Sequence, residues 1–367
     1  MGEGRVVLEP GALSEAVILV GGQGTRLKPL TSYLPKPMLP VLNHPFLEHT
    51  ITYLKGYGVD NITLALNYLP EAIQGCLGDG SRLGVSLNYA VEASPLGTAG
   101  AVKNAERYLD STFAVLNGDI FTDLDITDML AFHWRKGAKV TIALTRVENP
   151  SAFGVVETDS DGRVERFTEK PSPERITSNW INAGIYIIEP EVLGYIPQNS
   201  RYMFERGLFP LLLELSEPVY GYPFSGYWLD MGTAEKYLCL NCDLLLNKVS
   251  NHLIPGLGRE SVSCGEDVTI HPSARITGPA VIGSRSQIGR GASITGPVVI
   301  GVDCYLGEDI GIEEAILWDG VSIGAGARLK QCIVGTSCRI TSGEQVVDCV
   351  ITQDDSGLPN RGRLRVD

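Results

Sequence analysis

The chain has 367 residues, 43 acidic against 30 basic, for a formal net charge of −13 and a hydrophobic content of 44%. So acidic a field repels phosphate polyanions, which excludes a general nucleic-acid or anionic-membrane binder and requires any phosphate chemistry to rest on a few focused lysines and arginines. The hydrophobic content excludes bulk disorder, and the length corresponds to two or three domains.

Residues 1–14 read as an N-terminal extension; MGEGRVVLEPGALS has no long apolar run and no typical cleavage site, so no secretory signal is expected. Apolar stretches elsewhere reach only about five residues, against roughly 20 for a membrane helix. With eight scattered cysteines, the expectation is a cytoplasmic protein with reduced thiols and no membrane partner. From Glu15 onward, strand-like and helix-like runs alternate. AVILVGG precedes a helix over PFLEHTITYLKGYGV, NITLAL one over PEAIQGCLG, VSLNYAV one near AGAVKNAERYL, and FAVLNGD one over ITDMLAFHWRKG, before KVTIAL. Such alternation predicts an α/β domain over 15–250, a mainly parallel Rossmann-like sheet covered on both faces, with ligands beyond the carboxyl ends of the strands. Residues 251–264 read as a linker.

Beyond it the period changes. Ile270, Ile276, Ile282, Ile288, Ile294, Ile300, Leu306 and Ile312 recur every six residues, then after one-residue slips come Leu317, Ile323 and Leu329, and Val334 and Ile340. Six fits neither a helix nor a coiled coil; it fits a coil with three flat faces and one inward aliphatic per face, turned at glycines such as Gly283, Gly289, Gly301 and Gly307. This pattern resembles the left-handed parallel β-helix of hexapeptide-repeat proteins and predicts about five coils over 265–355. Residues 356–367 read as a solvated tail.

The densest chemistry follows the first strand: Gly21-Gly22-Gln23-Gly24-Thr25-Arg26-Leu27-Lys28-Pro29-Leu30-Thr31. Its glycines let backbone N–H groups cradle a polyphosphate, Arg26 adds a fixed bidentate charge, and Lys36 is held between Pro35 and Pro37. Leu27 stands where a dinucleotide fingerprint needs its third glycine, and Gly24-Thr25-Arg26 is not a Walker Gly-Lys-Ser/Thr. GGxGTRLxPLT followed by PKPMLP resembles the signature of sugar-nucleotide pyrophosphorylases, which join a sugar 1-phosphate to an NTP. Asn117-Gly118-Asp119, Phe153-Gly154-Val155-Val156, Glu169-Lys170-Pro171, Asn182-Ala183-Gly184-Ile185-Tyr186 and Trp228-Leu229-Asp230-Met231-Gly232-Thr233 complete the family's order, so the resemblance spans residues 15 to 350.

The resemblance implies the roles. Arg26 would hold the β/γ-phosphates, Lys36 would neutralise the α-phosphate, and Asp119 and Asp230, each closing a strand-like run, would hold Mg²⁺. Leu19, Gly21, Gly22, Gly24, Thr25, Glu92, Gly97 and Thr98 would bind the nucleotide; Lys170 would grip the sugar phosphate, and Glu169, Gly154 and Asn182 the sugar. No acid–base histidine is required, and His44, His49 and His133 read as helix-surface or loop residues. Glu92 can only accept hydrogen bonds, which suits the adjacent N1–H and N2–H₂ donors of guanine better than thymine or uracil. The run Leu96-Gly97-Thr98-Ala99-Gly100 also resembles mannose-1-phosphate guanylyltransferases. The expected reaction is therefore GTP plus mannose 1-phosphate to GDP-mannose and pyrophosphate, with dTDP- or UDP-glucose synthesis as the alternative. A bifunctional acyltransferase and a non-catalytic regulatory homologue are weaker alternatives, the former because the coil half offers only His252 and His271. The β-helix reads as a homo-oligomerisation surface, removal of which would mainly alter assembly and stability, and Cys239-Leu-Asn-Cys242 as ordinary helix packing rather than a metal site.

Overall fold

The structure, a computed structural model, describes residues 12–250, 262–354 and 357–364. Most of the expected N-terminal extension and linker, with His252, and parts of the tail lie outside the described residues. The chain forms two compact units: Met1–Gly21 with Ile51–Ile120 and Leu124–Trp228, and Gly22–Thr50 with Phe121–Asp123 and Leu229–Asp367.

In the first unit, strand Glu15–Leu19 lies between Asn61–Leu66 and Phe113–Asn117, parallel to both, and Ser86–Val91 adds a further parallel strand beyond Asn61–Leu66. Ala16, Val17 and Ile18 are fully buried, as expected for a strand covered on both faces. Beyond Phe113–Asn117 the sheet turns antiparallel through Trp180–Ile188, which also pairs with Val140–Arg146. Gly154–Thr158 and Val164–Glu169 form the sheet's far edge. The sheet is thus parallel around Glu15–Leu19 and mixed from Phe113–Asn117 to Val164–Glu169.

Helix Ile126–Lys136 shows why such runs become helices here. Asp125 caps it by accepting from the Asp128 N–H at 3.0 Å, and Gly137 ends it with φ 57. His133 on this helix is fully buried, between the Thr141 hydroxyl at 2.8 Å and Glu189 at 3.0 Å. That corrects the expectation of a surface residue; the amphipathic pattern does not reveal that its inward face carries a polar pair.

In the second unit the expected coil is present. Five short strands, Thr269–Ile270, Gln287–Ile288, Tyr305–Leu306, Ser322–Ile323 and Arg339–Ile340, stack in parallel as one face. Ile270, Ile288, Leu306, Ile323 and Ile340 lie in register, and the repeat shortens by one residue after Leu306. The inward residues from Ile282 to Ile340 form one buried core. Ile270 stays 38% exposed, because among the described residues its strand has a partner on one side only. Antiparallel Pro359–Arg363 ends the other sheet against Gln345–Gln353.

The same unit contains the hairpin Pro40–Val41/His44–Pro45 and helix Ala234–Leu245, which Thr233 caps. Leu42 and Asn43 turn the hairpin with φ 47 and 66. Leucine in that conformation costs roughly 1–3 kcal/mol and persists only when its surroundings over-determine it. They do. The Leu42 N–H donates to Asn241 Oδ1 at 2.9 Å, and the Asn43 amide donates to the Ile300 carbonyl at 2.7 Å. The Val41 carbonyl accepts from His49 Nε2 at 2.8 Å. His49 is therefore buried rather than on the helix surface, and burial lowers its pKa to about 4, so it is neutral and carries its proton on Nε2.

Candidate nucleotide and sugar-phosphate sites

The first unit holds Leu19, Gly21, Glu92, Gly97, Thr98, Asp119, Gly154, Glu169, Lys170 and Asn182. Leu19 and Gly21 lie at the carboxyl end of the first strand, where such sheets bind ligands. A side chain on Gly21 would have its Cβ 3.4 Å from Asn67 Cβ and 3.8 Å from Glu92 Oε1, so the strand end, Asn67 and Glu92 share one corner. Glu92 is nearly buried, and its Oε2 accepts from the Leu96 N–H at 2.8 Å. Oε1 thus faces Gly21 while Oε2 shapes the turn into Gly97. Burial raises the Glu92 pKa, and the Leu96 hydrogen bond opposes that.

Thr98 donates its hydroxyl proton to Glu205 Oε2 at 3.1 Å and accepts from the Phe204 N–H at 2.9 Å. Its donor is committed within the protein, which makes Thr98 a brace for the Gly97 turn more than a direct ligand. Glu205 is a residue sequence reasoning missed. It lies on the single π-helical turn Phe204–Leu208, where functional sites are frequent, and burial followed by the Glu169 charge raises its pKa. Only the tertiary pairing with Thr98 singles it out.

At the antiparallel edge, Gly154 pairs across the ladder with Glu169. A Cβ at Gly154 would lie 2.6 Å from the Phe167 ring and 3.1 Å from Glu169 Oε2, so only glycine leaves this floor open. Lys170 follows with φ 47, its ammonium 3.7 Å from Glu169 and largely exposed. Asn182 donates to the buried Tyr186 hydroxyl at 2.8 Å and accepts from the Gly184 N–H at 2.9 Å, which fixes its amide orientation. Asp119 follows strand Phe113–Asn117 and is half-buried.

The second unit holds Gly22, Gly24, Thr25, Arg26, Lys36 and Asp230. Gly22, Thr25 and Arg26 are exposed. Gly24, at φ 62, leaves a would-be Cβ only 3.1 Å from Lys36 Cβ and from Thr31 Cγ2, while the Thr31 hydroxyl donates to the Gly24 carbonyl at 2.8 Å. The loop is thereby folded onto the buried Lys36 stem. Lys36 Nζ lies 3.9 Å from Asp230 Oδ1, and Lys236 Nζ lies 3.7 Å from Oδ2. A Cβ on Gly232 would be 2.9 Å from an Arg26 nitrogen and 3.1 Å from both Asp230 oxygens. Two ammonium groups thus lie within 4 Å of one carboxylate, with an Arg26 nitrogen beside the same glycine, concentrating positive charge in an otherwise acidic chain. Lys236 was not legible as a site residue; its position in the first turn after Asp230-Met-Gly-Thr is the only hint.

Asp230 Oδ1 is buried without a hydrogen-bond partner. A buried carboxylate oxygen left without a donor is destabilising, and a hard cation satisfies it. The donor set fits Mg²⁺, which takes one or two carboxylates and fills the rest of its shell from phosphates and water. Among the described residues no cluster of three or more His, Cys, Asp or Glu could hold an ion alone, and no helix is long and apolar enough to cross a membrane. Cys242, in the Cys-x-x-Cys spacing, has its thiol pushed up to about 12 by burial, consistent with packing.

Residues 15–247 match the nucleotidyl transferase family, and residues 259–358 match the LbH domain described for EIF2B subunit epsilon. The chain is 37% identical over 320 residues to a mannose-1-phosphate guanylyltransferase of Mycobacterium tuberculosis, covering 86% of this chain and 83% of that protein. It is 35% identical over 361 residues to a UTP–glucose-1-phosphate uridylyltransferase of Synechocystis, covering 92% and 93%. Among solved structures, HddC from Yersinia pseudotuberculosis superposes with a TM-score of 0.55 at 30% identity, covering 62% of this chain and 98% of that one; it has also been solved in complex with GMP-PN. The C-terminal coil is accordingly a left-handed parallel β-helix, and the chain belongs to the nucleotidyl transferase family as a sugar-1-phosphate nucleotidyltransferase.

Proposed function

We propose that the protein condenses GTP with mannose 1-phosphate to give GDP-mannose and pyrophosphate. The observation that carries the base choice is Glu92, a nearly buried carboxylate with one oxygen beside Gly21 at the strand end. An acceptor there meets the two adjacent donors of guanine and opposes the carbonyls of uracil and thymine. The guanylyltransferase relative from Mycobacterium tuberculosis supports the same choice. The Synechocystis uridylyltransferase, which aligns over more of the chain, supports UDP-glucose synthesis as the second reading.

In the proposed reaction a phosphate oxygen of the sugar 1-phosphate attacks the α-phosphorus in line. The bond from that phosphorus to the bridging oxygen breaks, and pyrophosphate leaves with the electron pair. Both reactants are anions, so the barrier is largely one of charge. Lys36 neutralises the α-phosphate and Arg26 the leaving pyrophosphate. Lys170 and Glu169 hold the sugar phosphate and sugar hydroxyls, with Asn182 fixing the adjoining wall. Asp230, with its unpaired Oδ1, and Asp119 would hold Mg²⁺, which when bound lowers the charge on the phosphates. The β-helix, with Tyr305 and Val347 more than half exposed, offers a homo-oligomer surface, and the protein works in the cytoplasm.

The test is pyrophosphate release from GTP, UTP, dTTP, ATP and CTP, each with mannose 1-phosphate and glucose 1-phosphate. GTP with mannose 1-phosphate is expected to exceed every other pair in kcat/KM by at least about 10-fold, a difference of about 1.4 kcal/mol. A best pair containing UTP or dTTP with glucose 1-phosphate would overturn the proposal.

A further inference from the structure

The β-helix was expected to serve assembly. Its contacts within the second unit lead elsewhere. Trp318, on the coil, donates its indole N–H to the Tyr237 hydroxyl at 3.0 Å. Tyr237 is fully buried in helix Ala234–Leu245 and donates its own proton to the Pro40 carbonyl. The order of these bonds is fixed by chemistry: an indole can only donate and a carbonyl can only accept, so the phenol between them must accept from one side and donate to the other. Burial keeps that phenol in its protonated form. Two further bonds run in parallel, Leu42 N–H to Asn241 of the same helix and the Asn43 amide to Ile300 of the coil.

We propose that this buried staple makes the β-helix a positioning element of the catalytic apparatus, in which Trp318, Tyr237, Asn241 and Asn43 hold the hairpin that fixes Lys36 and the helix that follows Asp230. Both sides of the staple lie close to charged groups of the site. Pro40 is four residues from Lys36 along a stretch stiffened by Pro37 and Pro40, with the Leu39 N–H bonded to the Lys36 carbonyl at 3.2 Å. Tyr237 lies on the helix whose first turn carries Lys236 and whose cap Thr233 is three residues from Asp230. The staple's Asn241 bond helps hold Leu42 in its unfavourable backbone, so releasing the staple would let the hairpin relax and move the Lys36 ammonium. Displacements of that order act on the transition state more than on ground-state binding, because a cation placed to meet developing charge loses most when misplaced. The inference rests on Lys36 serving the α-phosphate.

The experiment compares full-length wild type with Tyr237→Phe, Trp318→Phe and Asn43→Gly, with Lys36→Ala alongside. Asn43→Gly keeps the left-handed turn accessible and removes only the bond to Ile300, so it guards against loss of fold in the aromatic variants. Each staple variant is expected to lower kcat about 10-fold with both KM values within about twofold, at unchanged oligomeric state. The double variant Tyr237→Phe/Trp318→Phe should be no worse than the poorer single one, because the two residues form one path. Staple variants that change only the thermal midpoint and keep wild-type kcat, while Lys36→Ala abolishes it, would overturn the staple. Wild-type kcat in Lys36→Ala would instead overturn the role of Lys36, and the staple with it.

Discussion

Replacing Asp230 with asparagine separates the metal role proposed for this carboxylate from its structural one. The side chain is only 13% exposed and has lysine ammonium groups at 3.9 and 3.7 Å. At 3.9 Å and an effective dielectric near 20, a unit pair gains about 4 kcal/mol gross. Much of that is offset, since the carboxylate has left water and its buried Oδ1 lacks a hydrogen bond, which costs about 1–3 kcal/mol. The net stability lost in Asp230→Asn should therefore be about 1–2 kcal/mol, a fall in melting temperature of only a few degrees for units of this size. Asparagine would offer Mg²⁺ a weaker neutral ligand and remove one negative charge, so turnover should fall at least about 100-fold, or about 2.7 kcal/mol in the barrier. Pyrophosphate release across a Mg²⁺ titration reads the activity, and melts with and without MgCl₂ and GTP read the stability. Stabilisation by MgCl₂ with GTP should appear in wild type and be lost in the variant. An Asp230→Asn enzyme with more than a tenth of wild-type turnover and an unchanged Mg²⁺ dependence would refute the reasoning.

Two further outcomes test other parts of the structure. Glu92→Gln keeps an oxygen for the Leu96 N–H, so stability should hardly change, but it places a donor beside the base; the GTP-over-UTP ratio in kcat/KM should fall by about 10-fold, and an unchanged ratio would remove Glu92 from the base site. His49, with a pKa of about 4 against an ordinary 6.5, stays neutral in the fold while the unfolded chain takes up its proton below pH 6.5. Its contribution to stability is thus lost as the pH falls from 6.5 toward 4, about 3 kcal/mol by pH 4. Urea melts of wild type and His49→Gln at pH 7 and pH 5 should show a steeper acid loss in wild type; parallel losses would contradict the assignment.

What could be read in the sequence was what depends on local spacing. The six-residue recurrence of aliphatics revealed the coil and even its slip after Ile312, because each face is set by neighbours one turn away. The strand-end motifs singled out Gly154, Glu169, Lys36 and Asp230 by their order in the chain, and the structure pairs Gly154 with Glu169 and sets Lys36 3.9 Å from Asp230. What could not be read depends on pairs distant in the chain. The Tyr237–Trp318 bond joins residues 81 positions apart, and Leu42 meets Asn241 across 199. No periodicity encodes such partners, which is why Gly22–Thr50 could not be foreseen as part of the same compact unit as the β-helix. The burial of His49 and His133 escaped notice for the same reason: a polar residue on an apolar helix face is legible, but the carbonyl or hydroxyl that satisfies it is not.

The antiparallel strand Pro359–Arg363 has a consequence for how this protein can assemble. A stack of parallel rungs ends in a row of unused amide and carbonyl groups, onto which another chain could dock and continue the stack without limit. Here the last long rung is met by a strand of reversed direction that begins with a proline and carries Arg361 and Arg363, so one terminus of the coil is plugged. A further stack of parallel rungs would meet a reversed strand on that sheet rather than a matching edge, which disfavours head-to-tail continuation of the coil there.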